Sequence, residues 1–209
     1  MATQKKNHRK EHSIARKNGI REIKQTFLIV CEGEVTEPEY FNSFRLTSAS
    51  VRAVGKGLNT LSLVNEAIII KDQEKIRGKL YDQCWVVFDK DDFPNKDFNE
   101  AIKLAESNNF QVAYSNQAFE YWFLLHFHLY QGSLHRDKYG DMLTKLLGFK
   151  YSKISGEMGR IFNRLFPLTE VAMANAQKVL ESFDRVSPAK AESSTTVHRL
   201  VQQLLKFVG

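Results

Sequence analysis

The stretch WVVFDKDDF, residues 85–93, runs apolar for four positions and then sets Asp89, Asp91 and Asp92 at its end. Three carboxylates this close repel one another and resist ionising together unless a positive charge sits among them. Asp also favours the corner where a strand turns into a loop, so a surface turn and a metal site are both open at this point. The choice between them depends on where the other acids of the chain fall.

Working outward, FLIVC (27–31) is a continuous apolar, β-branched run, as expected of a strand covered on both faces. It ends at Glu32-Gly33-Glu34 and is followed by EPEYFNSF (37–44), a short helix with Pro38 in its first turn. VRAV (51–54) reads as a second strand, closed by the turn Gly55-Lys56-Gly57, and residues 58–76 have helical spacing. CWVVF (84–88) is a third strand, residues 95–109 a helix after Pro94, and FQVAYS (110–115) a fourth strand. Strands alternating with helices imply βαβ units and a mainly parallel sheet.

AFEYWFLLHFHLY (118–130) is apolar on every side and predicts a buried helix. Beyond it the pattern is helical over 136–148, 158–166, 168–185 and 194–207, with breaks at Gly148, Gly156 and SPAKAESS (187–194). The expected organisation is a basic arm over 1–24, an α/β core over 25–130 and a helical C-terminal region over 131–209 packed on that core.

Composition fits this picture. Apolar residues make up 43% of 209, with 15 phenylalanines, which suits a globular chain rather than a disordered one. No window is apolar enough to span a membrane, and the Lys-rich start lacks the apolar stretch of a signal peptide. Cys31 and Cys84 both fall in strand-like runs and read as reduced core residues of a cytoplasmic protein, with neither a disulfide framework nor zinc spacing.

Charge is unevenly placed. Residues 1–24 hold eight of the 30 Lys and Arg against Glu11 and Glu22, leaving 22 basic and 22 acidic residues in the remainder. The net +6 of the chain therefore resides in this arm, where Lys5, Lys6, Arg9, Lys10, Arg16, Lys17 and Arg21 suit contacts to nucleic-acid phosphates. A solubilising or partner-binding tail would carry the same charge.

Parallel strands share a carboxyl edge, and ligands of open α/β sheets bind beyond it. Glu32 follows the first strand and Asp89 and Asp91 the third, so all three must emerge on one rim. Glu34 and Glu37 lie in the loop and helix start after the first strand, and Glu120 in the helix turn after the fourth. Hard oxygen donors gathered this way suit Mg²⁺ or Mn²⁺. Ordinary turn acids, and acids favoured by a helix dipole, are the bland alternative. His126 and His128 are two apart and cannot share a helix face, so they read as interior or interface residues. His8 and His12 lie in the arm.

CEG (31–33) and FDKDD (88–92) resemble the two acidic motifs of the Toprim fold, found in topoisomerases, primases and OLD-type nucleases. IVCEGEVTEPEYFNSF (29–44), SNQAFEYWFLLHF (115–127) and SSTTVHRLVQQLL (193–205) together resemble the RloB-like family, Toprim-related bacterial proteins associated with restriction loci and abortive phage defence and often considered alongside ATPase partners. The likeness covers residues 25–130 well and the C-terminal helices loosely. Lys90 departs from it, since many Toprim domains carry a small residue there.

The resemblance implies a Toprim-like sheet flanked by helices and metal-dependent cleavage of DNA or RNA. Asp89 and Asp91 would hold Mg²⁺ or Mn²⁺, Glu32 would complete the site or act as general base, and Glu34, Glu37 or Glu120 would serve a second metal. Lys56 could face the phosphate from the turn after the second strand. Two rivals stand beside this: a haloacid-dehalogenase-type phosphatase with Asp89 as nucleophile, and a non-catalytic metal- or partner-binding subunit of a defence complex. Neither substrate nor oligomeric state is legible.

Overall fold

The structure is a computed structural model that describes residues 25–53, 60–91, 94–183 and 187–208. The four predicted strands form: β1 (Phe27–Cys31), β2 (Ala49–Ala53), β3 (Gln83–Asp89) and β4 (Gln111–Ser115), all parallel, in the order β2-β1-β3-β4. Between them run α1 (Thr36–Asn42), α2 (Thr60–Ile76) and α3 (Asn95–Ser107).

Alternation along the strands divides the core in two. Leu28, Val30, Val86 and Phe88 face α2 and α3, meeting Leu63, Val64, Phe98 and Ala101. Phe27, Ile29, Cys31, Trp85 and Val87 face the other way, toward Tyr40 and Phe41 of α1 and the C-terminal helices. Every residue of β1 is buried, which is why its sequence is apolar without alternation. α1 thus leaves β1 on one face and α3 leaves β3 on the other, so the crevice between these neighbouring strands is the topological switch point.

The segment 118–130 is a correction. It is buried through His126, but only Glu120–Leu124 (α4) is α-helical, and the chain then continues in tight turns to exposed His128 and Leu129. Asn175 Nδ2 donates to the Leu125 carbonyl at 2.8 Å, taking up a group that a helix continuing to 130 would have used itself, and Tyr121 Oη donates to the Tyr130 carbonyl at 2.6 Å.

Beyond it lie α5 (Tyr139–Leu147), α6 (Met158–Leu165), α7 (Thr169–Glu181) and α8 (Val197–Leu205). The last starts three residues later than the spacing predicts, because Ser193–Thr196 is spent on the edge of β4. There the Thr196 N–H donates to the Tyr114 carbonyl at 2.8 Å, the Tyr114 N–H to Thr196 Oγ1 at 2.9 Å, and the Asn116 N–H to the Ser194 carbonyl at 2.8 Å. Ser193, Ser194 and Thr195 are fully buried, so the C-terminal region seals an edge that would otherwise expose unpaired backbone. Among the described residues, no helix is long and apolar enough to cross a membrane.

Candidate functional site

The switch point is where the acids meet. The Glu32 N–H extends the β1–β3 ladder by donating to the Val87 carbonyl at 2.9 Å, and Glu32 Oε2 accepts the Asp89 N–H at 3.2 Å. Asp89 Oδ2 in turn accepts the Phe119 N–H at 3.0 Å. The ends of β1 and β3 and the start of the segment after β4 are tied together through these two carboxylates.

Glu37 stands beside them. Its carboxyl fills the space over Gly33, where a Cβ would fall 2.0 Å from Glu37 Oε2, so the glycine of CEG is needed for this approach. Asp91 adopts a left-handed backbone (φ 45°), which Asp tolerates at modest cost, and its carboxylate pairs with the Arg136 guanidinium. Glu120 is 3% exposed, and its Oε1 accepts both the Tyr151 hydroxyl and Lys153 Nζ, each at 2.7 Å.

The protonation equilibria record this crowding. Burial pushes Glu32 up to about 7, opposed by the Asp89 N–H and reinforced by the charges of Asp91 and Glu37. Burial likewise takes Glu37 up to about 7, with Glu120 and Asp91 raising it and its own backbone N–H and Lys153 lowering it. Asp89 lies well above the ordinary carboxylate range, through desolvation first and then the charges of Glu37, Glu120 and Asp91. Lys153 keeps its proton more firmly than a free lysine: burial works against its charge, but Glu120, Asp89 and Glu37 outweigh that.

Five of the acids expected at the rim are therefore linked in one electrostatic network, with Glu37 acting on Glu32 and Asp89, and Asp91 and Glu120 both acting on Glu37 and Asp89. Glu34 is exposed. Asp92, Lys56 and the basic residues of 1–24 lie outside the described residues. His126 is buried with Nδ1 3.0 Å from the Trp122 carbonyl, an interior residue as expected. Sequence reasoning missed Arg136, Tyr151 and Lys153, which reach the rim from the C-terminal region.

The donor chemistry fits a divalent cation, because uniformly hard oxygens that destabilise one another are what such an ion neutralises. As they stand among the described residues, no three Asp, Glu, His or Cys side chains converge closely enough to hold an ion. Glu32 and Asp89 each spend an oxygen on a backbone amide, and Asp91 and Glu120 each face a cation.

A four-stranded parallel sheet with helices on both faces and a carboxylate cluster at its switch point defines an α/β protein with an acidic site at the strand ends. The chain belongs to the RloB-like family: the family described as RloB-like protein matches residues 27–204, most of its length. No curated protein and no solved structure matches it.

Proposed function

We propose that the protein is a divalent-cation-dependent nuclease that hydrolyses phosphodiester bonds of DNA or RNA at this rim. The observation that carries the reading is the apposition of Glu32 and Asp89 across the switch point, with Asp91 and Glu37 in electrostatic reach. Asp89, Asp91 and Glu32 are the residues that would hold Mg²⁺ or Mn²⁺, with Glu37 as a further ligand. When bound, the ion supplies charge stabilisation at the phosphoryl oxygens and lowers the pKa of water. Where Glu32 does not itself ligate the ion, its titration near neutrality in the ion-free rim suits it to accept a proton from the attacking water instead. Glu37 is buried and Asp89 half-buried, and the limited access of water to them strengthens electrostatic interactions at the rim.

Family resemblance supports placing this activity in bacterial antiphage defence, with an ATPase partner and in the cytoplasm. The test is cleavage profiling of DNA, messenger RNA and tRNA with Mg²⁺ and Mn²⁺, with and without a candidate ATPase, for the parent and Asp89→Asn. Loss of parental cleavage by at least about 100-fold in the variant supports the reading. Equal cleavage by both, or no cleavage in any combination, contradicts it.

The pairing of Asp91 with Arg136 and of Glu120 with Lys153 favours a second reading, in which a partly neutralised rim binds a metal or partner without turnover. Mn²⁺ binding with no cleavage in the presence of the partner would select it. The phosphatase alternative leaves the seat of Glu32 on the Asp89 amide without a purpose, and a labelled phosphoaspartate at Asp89 would be needed to revive it.

A further inference from the structure

We infer, taking the nuclease reading as given, that Lys153 is a catalytic residue whose ammonium binds a non-bridging oxygen of the nucleic-acid phosphate, and that Glu120 positions it instead of ligating the metal. Three observations lead there.

The first is placement. The Lys153–Glu120 pair runs from inside to outside: the Glu120 side chain is 4% exposed and that of Lys153 65%. An ammonium carries three N–H donors, and Glu120 takes one. The second is rigidity. Tyr151 packs its ring on Phe123, gives its hydroxyl to Glu120 and its N–H to Thr144 Oγ1 at 3.0 Å, while Ser155 Oγ and the Gly156 N–H both donate to Glu39 of α1. The loop carrying Lys153 is thus fastened on both sides, which suits a group that must be held ready for a reacting atom.

The third is charge. Five carboxyl groups stand at the rim against two cations, Arg136 and Lys153, so acids outnumber bases around it. A phosphodiester anion approaching such a rim needs a cation to face it, and the exposed Lys153 side chain carries one, bonded to the buried Glu120.

The test compares the parent, Lys153→Met, Lys153→Arg and Glu120→Gln. Binding of a short labelled single strand is titrated against NaCl in Ca²⁺, Mn²⁺ binding is measured by calorimetry, and cleavage is followed in Mg²⁺. Lys153→Met should lower the slope of log affinity against log salt by about 0.7, and Lys153→Arg should restore it. In cleavage, Lys153→Met should lose about 100- to 1,000-fold in kcat while Mn²⁺ affinity is kept. Glu120→Gln should lose kcat with Mn²⁺ affinity retained, and loss of that affinity would overturn its positioning role. An unchanged salt slope in Lys153→Met, with only the melting temperature lowered, makes Lys153 a structural latch and overturns the proposal. A parent that binds the strand but cleaves nothing, with the slope still falling in Lys153→Met, overturns the nuclease reading and leaves the phosphate contact standing. A parent that binds no nucleic acid overturns both.

Discussion

The backbone N–H of Asp89 is bonded to the carboxylate of Glu32, a residue 57 positions earlier in the chain, at 3.2 Å. Each acid ends one of two neighbouring parallel strands, and the bond exists because those strands leave the sheet at the same edge. It is the local contact that opposes the desolvation of Glu32. Everything proposed for the rim is built around this pair.

Glu37 makes stability depend on pH. Its carboxyl titrates near 7 in the folded protein against an ordinary value of 4.5, so below 4.5 both states keep the proton and nothing is lost. As pH rises from 4.5 to 7 the unfolded chain ionises first and stability falls, after which the loss is constant. Glu37→Gln cannot ionise, and its stability relative to the parent should grow to at most about 3 kcal/mol by pH 8. His126 and His198, held near 4 by burial, slope the opposite way over an overlapping range and Glu32 slopes the same way; the difference between parent and variant reads Glu37 together with the charge it exerts on Glu32 and Asp89. Urea denaturation across pH measures it, and a gap independent of pH would contradict the burial of this charge.

Gly33→Ala should disturb the site without unfolding the chain. The added Cβ would meet Glu37 Oε2 at 2.0 Å, Cδ at 2.6 Å and Oε1 at 2.8 Å, all at the far end of a flexible side chain that can swing aside. We expect stability within about 1 kcal/mol of the parent and Mn²⁺ affinity reduced about tenfold, read by thermal melts and calorimetry. Parental affinity would show that Glu37 is idle.

The aromatic layer under the rim is a stability element. Trp122 Nε1 donates to Tyr40 Oη at 2.8 Å, with both side chains buried and Tyr40 ringed by Phe41, Phe44, Phe119, Phe123 and Phe162. Trp122→Phe removes the donor and leaves a void, at a cost of about 2 kcal/mol. A lowered denaturation midpoint with metal binding retained is the expected result, and an unchanged midpoint would argue against the bond.

Deleting residues 1–24, which hold the net +6 of the chain, should weaken nucleic-acid binding and flatten its salt dependence. Fluorescence anisotropy over a range of NaCl concentrations reads the slope. An identical slope would remove the arm from the interface.

Much of this was legible before any coordinates. FLIVC and CWVVF announce strands buried on both faces, and parallel strands must share an edge, so the emergence of Glu32 and Asp89 on one rim follows from pattern alone. The placing of β1 and β3 side by side does not follow, since ladder partners are chosen by packing over distances a local pattern cannot reach. Lys153 and Tyr151 were missed because KYSKISGE (150–157) has no periodicity, only a glycine break beside two lysines. The apolar run 118–130 promised a longer helix than α4 because periodicity registers burial, whereas Asn175 and Tyr121 determine where the carbonyls go. Ser193–Thr196 looked like a helix start and instead closes the sheet, a use for hydroxyls that only the neighbouring strand reveals.

Titration of the metal-free protein with Mn²⁺, followed by calorimetry at pH 7.5 for the parent and Asp89→Asn, bears most directly on the rim as a cation site. The account predicts saturable binding by the parent that falls at least about tenfold in the variant while the melting temperature holds. Failure of the parent to bind Mn²⁺, or equal binding by the two proteins, would contradict it.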